Sequence, residues 1–240
     1  MGRLRDLYAR ATSGPSYEPD VADLADLRLF GLDFPIRASV AVLATTAMIV
    51  IDQLRLLVPP GAGAIATLEP VTVARFVLFL LVPLGVIVLG FRDRPGRYAL
   101  RLGEWRWGLA LLAAGLVAMT PIILGLAQLP EFRGYYGGGN ASLGTRLANN
   151  LAELIPAEFL LRGFLMFALW RRIGPLALVI VQVPFVLTHV GKPDVELWST
   201  FAGGTVFAWL DWRTGSILWS ALGHVYVLTL MLIAVGGASL

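Results

Sequence analysis

The chain of 240 residues contains no cysteine. That removes disulfides, thiolate metal ligands, a cysteine nucleophile and a lipidated cysteine anchor together. Charge is scarce as well, at 15% of residues against 57% hydrophobic, and the mean hydropathy is +0.75. Such a balance excludes an ordinary soluble domain and fits a polytopic membrane protein. Residues 1–33 have no apolar core of the signal-peptide kind, so they read as a retained tail with a short amphipathic helix over 21–30. The net charge of +3 is scattered rather than clustered, which gives no reason to expect nucleic acid as a partner. There is no His-Glu-x-x-His zinc motif and no Gly-Asp pair of the aspartyl intramembrane type. Lysine is nearly missing, since Lys192 is the single lysine among nineteen basic residues, and histidine occurs twice, at His189 and His224.

What is present is a series of apolar runs. A membrane-crossing helix needs about 20 mainly apolar residues, and such stretches recur at roughly 35–57, 71–91, 107–128, 146–170, 174–190, 195–210 and 215–236. The expected fold is an all-α transmembrane bundle of about seven spans, eight if one is split. It divides into a cytoplasmic tail over 1–34, three N-terminal helices over 35–128 and a functional core over 145–236. Arginines alternate between connections. Arg3, Arg5, Arg10 and Arg28 precede the first span; Arg92, Arg94, Arg97, Arg101 and Arg106 follow the second; Arg171 and Arg172 follow the fourth, and Arg213 the sixth. The alternation predicts a cytoplasmic N-terminus. The Gly-rich stretch 131–144 reads as a flexible lip on the opposite face, with a glycosylation sequon at Asn140-Ala141-Ser142.

Ionisable groups inside a span each cost about 2.5–3.5 kcal/mol near a helix centre, so they are functional candidates. Glu158 and Arg162 stand four apart on one helix face with the acidic member first, the favourable order. Read structurally, they are a salt bridge that neutralises two costly charges. Two leucines would insert more easily, however, and the functional reading has Arg162 orient Glu158 while Glu158 acts as a base on water. His189 ends the fifth span and His224 lies within the seventh, where its ring nitrogens need partners. Two histidines and a carboxylate on three helices suit a divalent metal such as Zn2+, or a held water and an oxyanion. Asp52, Arg55 and Arg75 lie near span ends and read as snorkelling to headgroups. Glu153 reads as pore-lining or shallow, and Lys192 with Glu196 as a polar rim, Glu196 being a candidate to join the site. A proton-coupled transporter is disfavoured, because no repeated half and no matched pair of broken spans is found.

These residues resemble the CPBP family, the CAAX protease and bacteriocin-processing membrane proteins also called Abi proteins. That family carries Glu-Glu-x-x-x-Arg on one transmembrane helix, Phe-x-x-x-His on the next and His-x-x-x-Asn/Asp on a later one. Here AEFLLR supplies Glu158 and Arg162, FVLTH supplies Phe185 and His189, and HVYVL supplies His224, over about residues 145–235. Ala157 stands in place of the first glutamate and Leu228 in place of the Asn or Asp. The resemblance implies an intramembrane endopeptidase, by its older name a metalloprotease, in the plasma membrane of a bacterium. Its partners would be the lipid bilayer and a membrane-anchored protein or peptide substrate. It further implies that Glu158 and His189 act on water, His224 on the oxyanion, and Arg162 as orienter. With Ala157 and Leu228 in place, a non-catalytic relative serving as immunity factor or scaffold is the alternative.

Overall fold

A chain in lipid must satisfy its backbone hydrogen bonds within each segment, and the apolar runs accordingly form helices. The computed structural model describes residues 2–138 and 141–236; Asn140 of the sequon lies outside them. Helix α1 spans Gly2–Thr12, and strands β1 (Asp26–Leu29) and β2 (Leu32–Pro35) form an antiparallel hairpin. Then follow α2 (Ile36–Gln53), α3 (Pro70–Gly90), α4 (Trp105–Leu126) and the short α5 (Pro130–Tyr136). Helix α6 runs Leu143–Glu158 and continues through Phe159–Leu165 into Met166–Ile173. Helices α7 (Leu176–Leu187), α8 (Asp194–Thr214) and α9 (Leu218–Ala234) complete the bundle.

Helices α2, α3 and α4 are long and apolar enough to cross a membrane, whereas α7 and α9 are apolar but shorter. Membrane character thus rests on the N-terminal helices. Buried charged side chains recur in α6 and α8, with Glu158, Arg162 and Arg171 in the first and Asp211 and Arg213 in the second. Local chemistry sets the helix ends. Ser142 caps α6 by accepting from the Thr145 N–H at 3.3 Å, and Gly215, at φ +67°, takes the left-handed turn that ends α8. Around the middle of α6 packs the main apolar core, including Ile87, Tyr98, Phe159, Phe164 and Phe167.

Three local expectations are corrected. In place of a helix over 21–30 there is a turn and then the hairpin, because Leu27, Leu29, Leu32 and Phe34 repeat with a period of two, not 3.6. Within the supposed lip, Pro130–Tyr136 is helical and pinned by buried Phe132 against Ile123, Ala127 and Met231. Asp52 and Arg75 do not snorkel. Asp52 is buried and accepts from Arg75 Nε at 2.9 Å, and Arg75 Nη1 also donates to Glu153, so three elements share one polar network.

The N-terminal segment straps the arginine-rich end of the bundle. Arg213 donates to the Ala11 and Arg10 carbonyls at 2.6 and 2.7 Å, closing the end of α1. Tyr17 donates to the Trp212 carbonyl at 2.6 Å and sets its ring edge-on to Phe167. Asp20 and Asp23, joined by Asp93, meet Arg37 and Arg97. Partial burial works against ionisation of Asp20. The Asp23 N–H and the Arg97 guanidinium outweigh it and bring that carboxyl down to about 2.

Candidate functional site

Pro156 lacks an N–H and cannot continue the regular α-helical bonding, and the helix rewinds just beyond it. Phe159–Leu165 is a π-helical segment with all seven side chains buried. Such segments gather at functional sites. This one starts on the residue after Glu158 and contains Arg162.

Glu158 and Arg162 are each about 1% exposed. Arg162 Nη1 donates to Glu158 Oε2, and its Nη2 reaches the Gly204 carbonyl at 3.4 Å. The guanidinium sits over the Phe185 ring at 4.1 Å and lies 5.6 Å from the Phe207 ring, a cation–π seat that compensates its lost water. Gly204 makes this possible. A Cβ there would stand 2.1 Å from Gln182 Oε1 and 2.7 Å from the Phe185 ring, so any side chain would push α8 away from α7.

The second Glu158 oxygen, Oε1, lies 2.7 Å from His224 Nδ1. With the tautomer assigned from this partner, Nδ1–H donates to the carboxylate and Nε2 keeps its lone pair. His189, buried just past α7, has Nδ1 at 2.8 Å from the Phe185 carbonyl, so its Nε2 is likewise left as an acceptor. The Phe185 ring stands edge-on to both imidazoles, with centroids 4.6 Å from His189 and 6.0 Å from His224. Glu158, Arg162 and His224 therefore form one bonded line, and Phe185 connects His189 to it. His224 is the more open of the two, with 16% of its side chain exposed.

Glu196 does not bond to this line. Its carboxylate accepts from the Tyr136 hydroxyl and from Lys192 Nζ, each at 2.7 Å, and clamps α5 to the start of α8. Burial, with Glu196 beside it, pushes the Tyr136 hydroxyl well above the usual phenol range.

Two features escaped the sequence reading. Phe207, with its ring centroid 5.9 Å from that of His224, gave no motif signal. Asp211 is wholly buried on α8, accepts from Ser220 Oγ at 2.7 Å through Oδ2, and has no partner at Oδ1. It lies one turn beyond Phe207, and Ser220 one turn before His224, so the pair forms a second polar layer under the first. Ending the sixth span at residue 210 hid it; a single carboxylate in FAWLDW was the available signal.

The donor set does not fit a metal ion as the side chains stand. Both Glu158 oxygens are engaged by cationic or N–H donors, and a guanidinium already supplies the positive charge. Among the described residues, the one group of three or more His, Asp or Glu with ligand atoms mutually within 4.8 Å is Asp20, Asp23 and Asp93, which Arg37 and Arg97 already occupy. The arrangement is instead suited to proton transfer: a fixed carboxylate, an imidazole it orients, and ring nitrogens that accept.

Residues 139–230 match a family model described as Rce1-like, Type II CAAX prenyl endopeptidase Rce1-like. The matched segment contains Glu158, Arg162, Phe185, His189 and His224, so the resemblance to the CPBP and CAAX-protease family holds over the part of the chain that builds the site. No curated protein and no solved structure matches the chain. Apolar helices and this match together make it an integral membrane protein.

Proposed function

We propose that this protein is an intramembrane endopeptidase of the CAAX-protease type, which hydrolyses a peptide bond in a membrane-anchored protein or peptide tail. The single observation that carries the reading is the buried line Arg162–Glu158–His224, whose His224 end has 16% of its side chain exposed. A salt bridge alone needs no histidine, and a histidine packed for structure needs no buried carboxylate.

The bonding recasts the roles implied by the resemblance. Arg162 and His224 occupy Glu158, so it serves as the orienting carboxylate, and His224 Nε2 is the base. His189 Nε2, an acceptor, holds the attacking water. As the water oxygen bonds to the scissile carbonyl carbon, its proton passes to His224, and Glu158 stabilises the imidazolium that forms. The C–N bond then breaks, and His224 returns the proton to the leaving amine. Ala157 supplies no second carboxylate, which leaves this dyad as the base system. The substrates are membrane-delivered tails, the bilayer is that of a bacterial plasma membrane, and the arginine-rich end with its N-terminal strap faces the cytoplasm.

A second reading, a non-catalytic relative, is favoured by Ala157 and Leu228 at two motif positions. A co-expressed panel of membrane-anchored C-terminal tails separates the two. Wild type should release a product that Glu158→Gln and His224→Ala do not at matched expression; an intact panel under wild type supports the non-catalytic relative.

A further inference from the structure

The hairpin that precedes α2 has a segregated surface. Its register pairs Leu27 with Phe34 and Leu29 with Leu32, and Arg28 with Asp33. Directly paired residues share a face and successive residues alternate, so Leu27, Leu29, Leu32 and Phe34 form one apolar face while Asp26, Arg28 and Asp33 form the other. The apolar face is not packed on the protein: Leu32 is 62% exposed and Leu27 54%.

The tip is stranger still. Phe30 and Gly31 form the two-residue turn, both with positive φ, at +54° and +80°. A bulky aromatic is an outlier in that region, where Asn or Gly would serve without strain. It is also 91% exposed, so the strain is not repaid by packing within the protein.

What covers this face follows from its continuity with the span. Strand β2 runs straight into α2, an apolar helix long enough to cross a membrane, whose Val40, Val42 and Leu43 are exposed. Between hairpin and span lies a groove of about 380 Å³ lined by Phe34, Ala38, Val42, Leu169 and Ile173, with Arg172 its one charged lining residue. Arg172 Nη2 donates to Asp26 on the charged face, which fixes that face to the end of α6. Apolar side chains thus carry the surface from span to groove to hairpin face, with Ser39 and Arg172 as the polar residues of the groove lining.

We propose that the hairpin is a membrane-inserted anchor: its apolar face and Phe30 tip lie in the leaflet at the arginine-rich end, Asp26, Arg28 and Asp33 lie among headgroups, and a phospholipid acyl chain fills the groove. The anchor fixes the depth at which α2 enters, and through the Arg172–Asp26 bond it holds the end of α6, the helix that carries Glu158. Burial of the four apolar side chains and the tip gives the driving force, as it does for amphipathic helices at membrane interfaces.

Because the chain has no cysteine, single-cysteine spin labels report each position cleanly. The full chain in nanodiscs of phosphatidylcholine and phosphatidylglycerol is labelled at Leu27→Cys, Leu29→Cys, Phe30→Cys, Leu32→Cys, Arg28→Cys and Asp33→Cys. Power saturation against oxygen and against a water-soluble nickel chelate then reads depth. The expected result is oxygen-dominated relaxation at 27, 29, 30 and 32 and nickel-dominated relaxation at 28 and 33. Nickel dominance at all six positions places the hairpin in water and overturns the proposal. Shielding of 27, 29 and 32 from both reagents, with dipolar broadening between labels, assigns the face to a second copy of the chain and also overturns it. Neither outcome depends on proteolytic activity.

Discussion

Two charged clusters, one of aspartates and arginines and one of a glutamate, an arginine and two histidines, are built by opposite rules. At the arginine-rich end, Asp20, Asp23 and Asp93 meet Arg37 and Arg97, Arg37 also donates to the Phe91 carbonyl at 3.1 Å, and Arg171 donates to the Phe167 carbonyl at 3.1 Å. Each acid there has an arginine partner. In the bundle core, Glu158 is equally well held, but its neighbours are not saturated. The Nε2 atoms of both histidines are left as acceptors, and Arg162 Nε and Asp211 Oδ1 have no partner among the described residues. A buried polar group without a partner costs about 1–3 kcal/mol. The outer cluster is therefore a fastening, whereas the inner one keeps hydrogen-bonding capacity unspent inside the bundle.

The largest expected effect separates the two clusters by activity. Glu158→Gln withdraws the carboxylate that orients His224 and should lower kcat/KM about 10³-fold or more, as loss of an orienting carboxylate does in hydrolytic triads. A titration of cleavage rate against enzyme, with folded protein quantified by size exclusion, checks this. An Asp23→Asn variant should leave kcat/KM within about threefold while lowering stability by about 3 kcal/mol, because a buried carboxylate with three guanidinium partners, Arg37, Arg97 and Arg171, is lost. Equal loss of cleavage in both variants would erase the distinction.

A smaller effect tests the seat of Arg162. Gly204→Ala places a methyl group against Gln182 and Phe185 and should cost about 1–3 kcal/mol, with weaker cleavage because the guanidinium shifts. A wild-type melting temperature in this variant would show that the close approach of α7 and α8 is not required.

The smallest effect is acid sensitivity of the outer cluster. The folded Asp20 carboxyl is held at about 2, below its ordinary value of 3.8, so its contribution is complete above about pH 4 and is lost as pH falls toward 2. Melting temperatures measured across that window should fall less steeply in Asp20→Asn than in wild type.

Much of the inner cluster was legible in the sequence, because an ionisable residue in an apolar run stands out against its neighbours. Glu158, Arg162, His189 and His224 stood out in this way, and the structure joins Glu158, Arg162 and His224 by bonds and links His189 through Phe185. Groups near helix ends were harder to read, since a charge there has two explanations. Asp52, Arg75 and Glu153 each passed as shallow when taken singly, and only the packing of α2, α3 and α6 shows them to be one network. The hairpin was missed for a different reason: seven apolar residues among ten over 21–30 fit an amphipathic helix by composition, and Phe-Gly is an unusual hairpin turn. Gly204 was invisible because its role depends on a side chain from another helix.

The most direct measurement is cleavage of one membrane-anchored tail by wild type, His224→Ala and Asp23→Asn, each reconstituted at equal folded amount. Product is expected from wild type and Asp23→Asn and none from His224→Ala. Cleavage that survives His224→Ala would contradict this, because the nitrogen left open at the end of the buried line would then have no part in the chemistry.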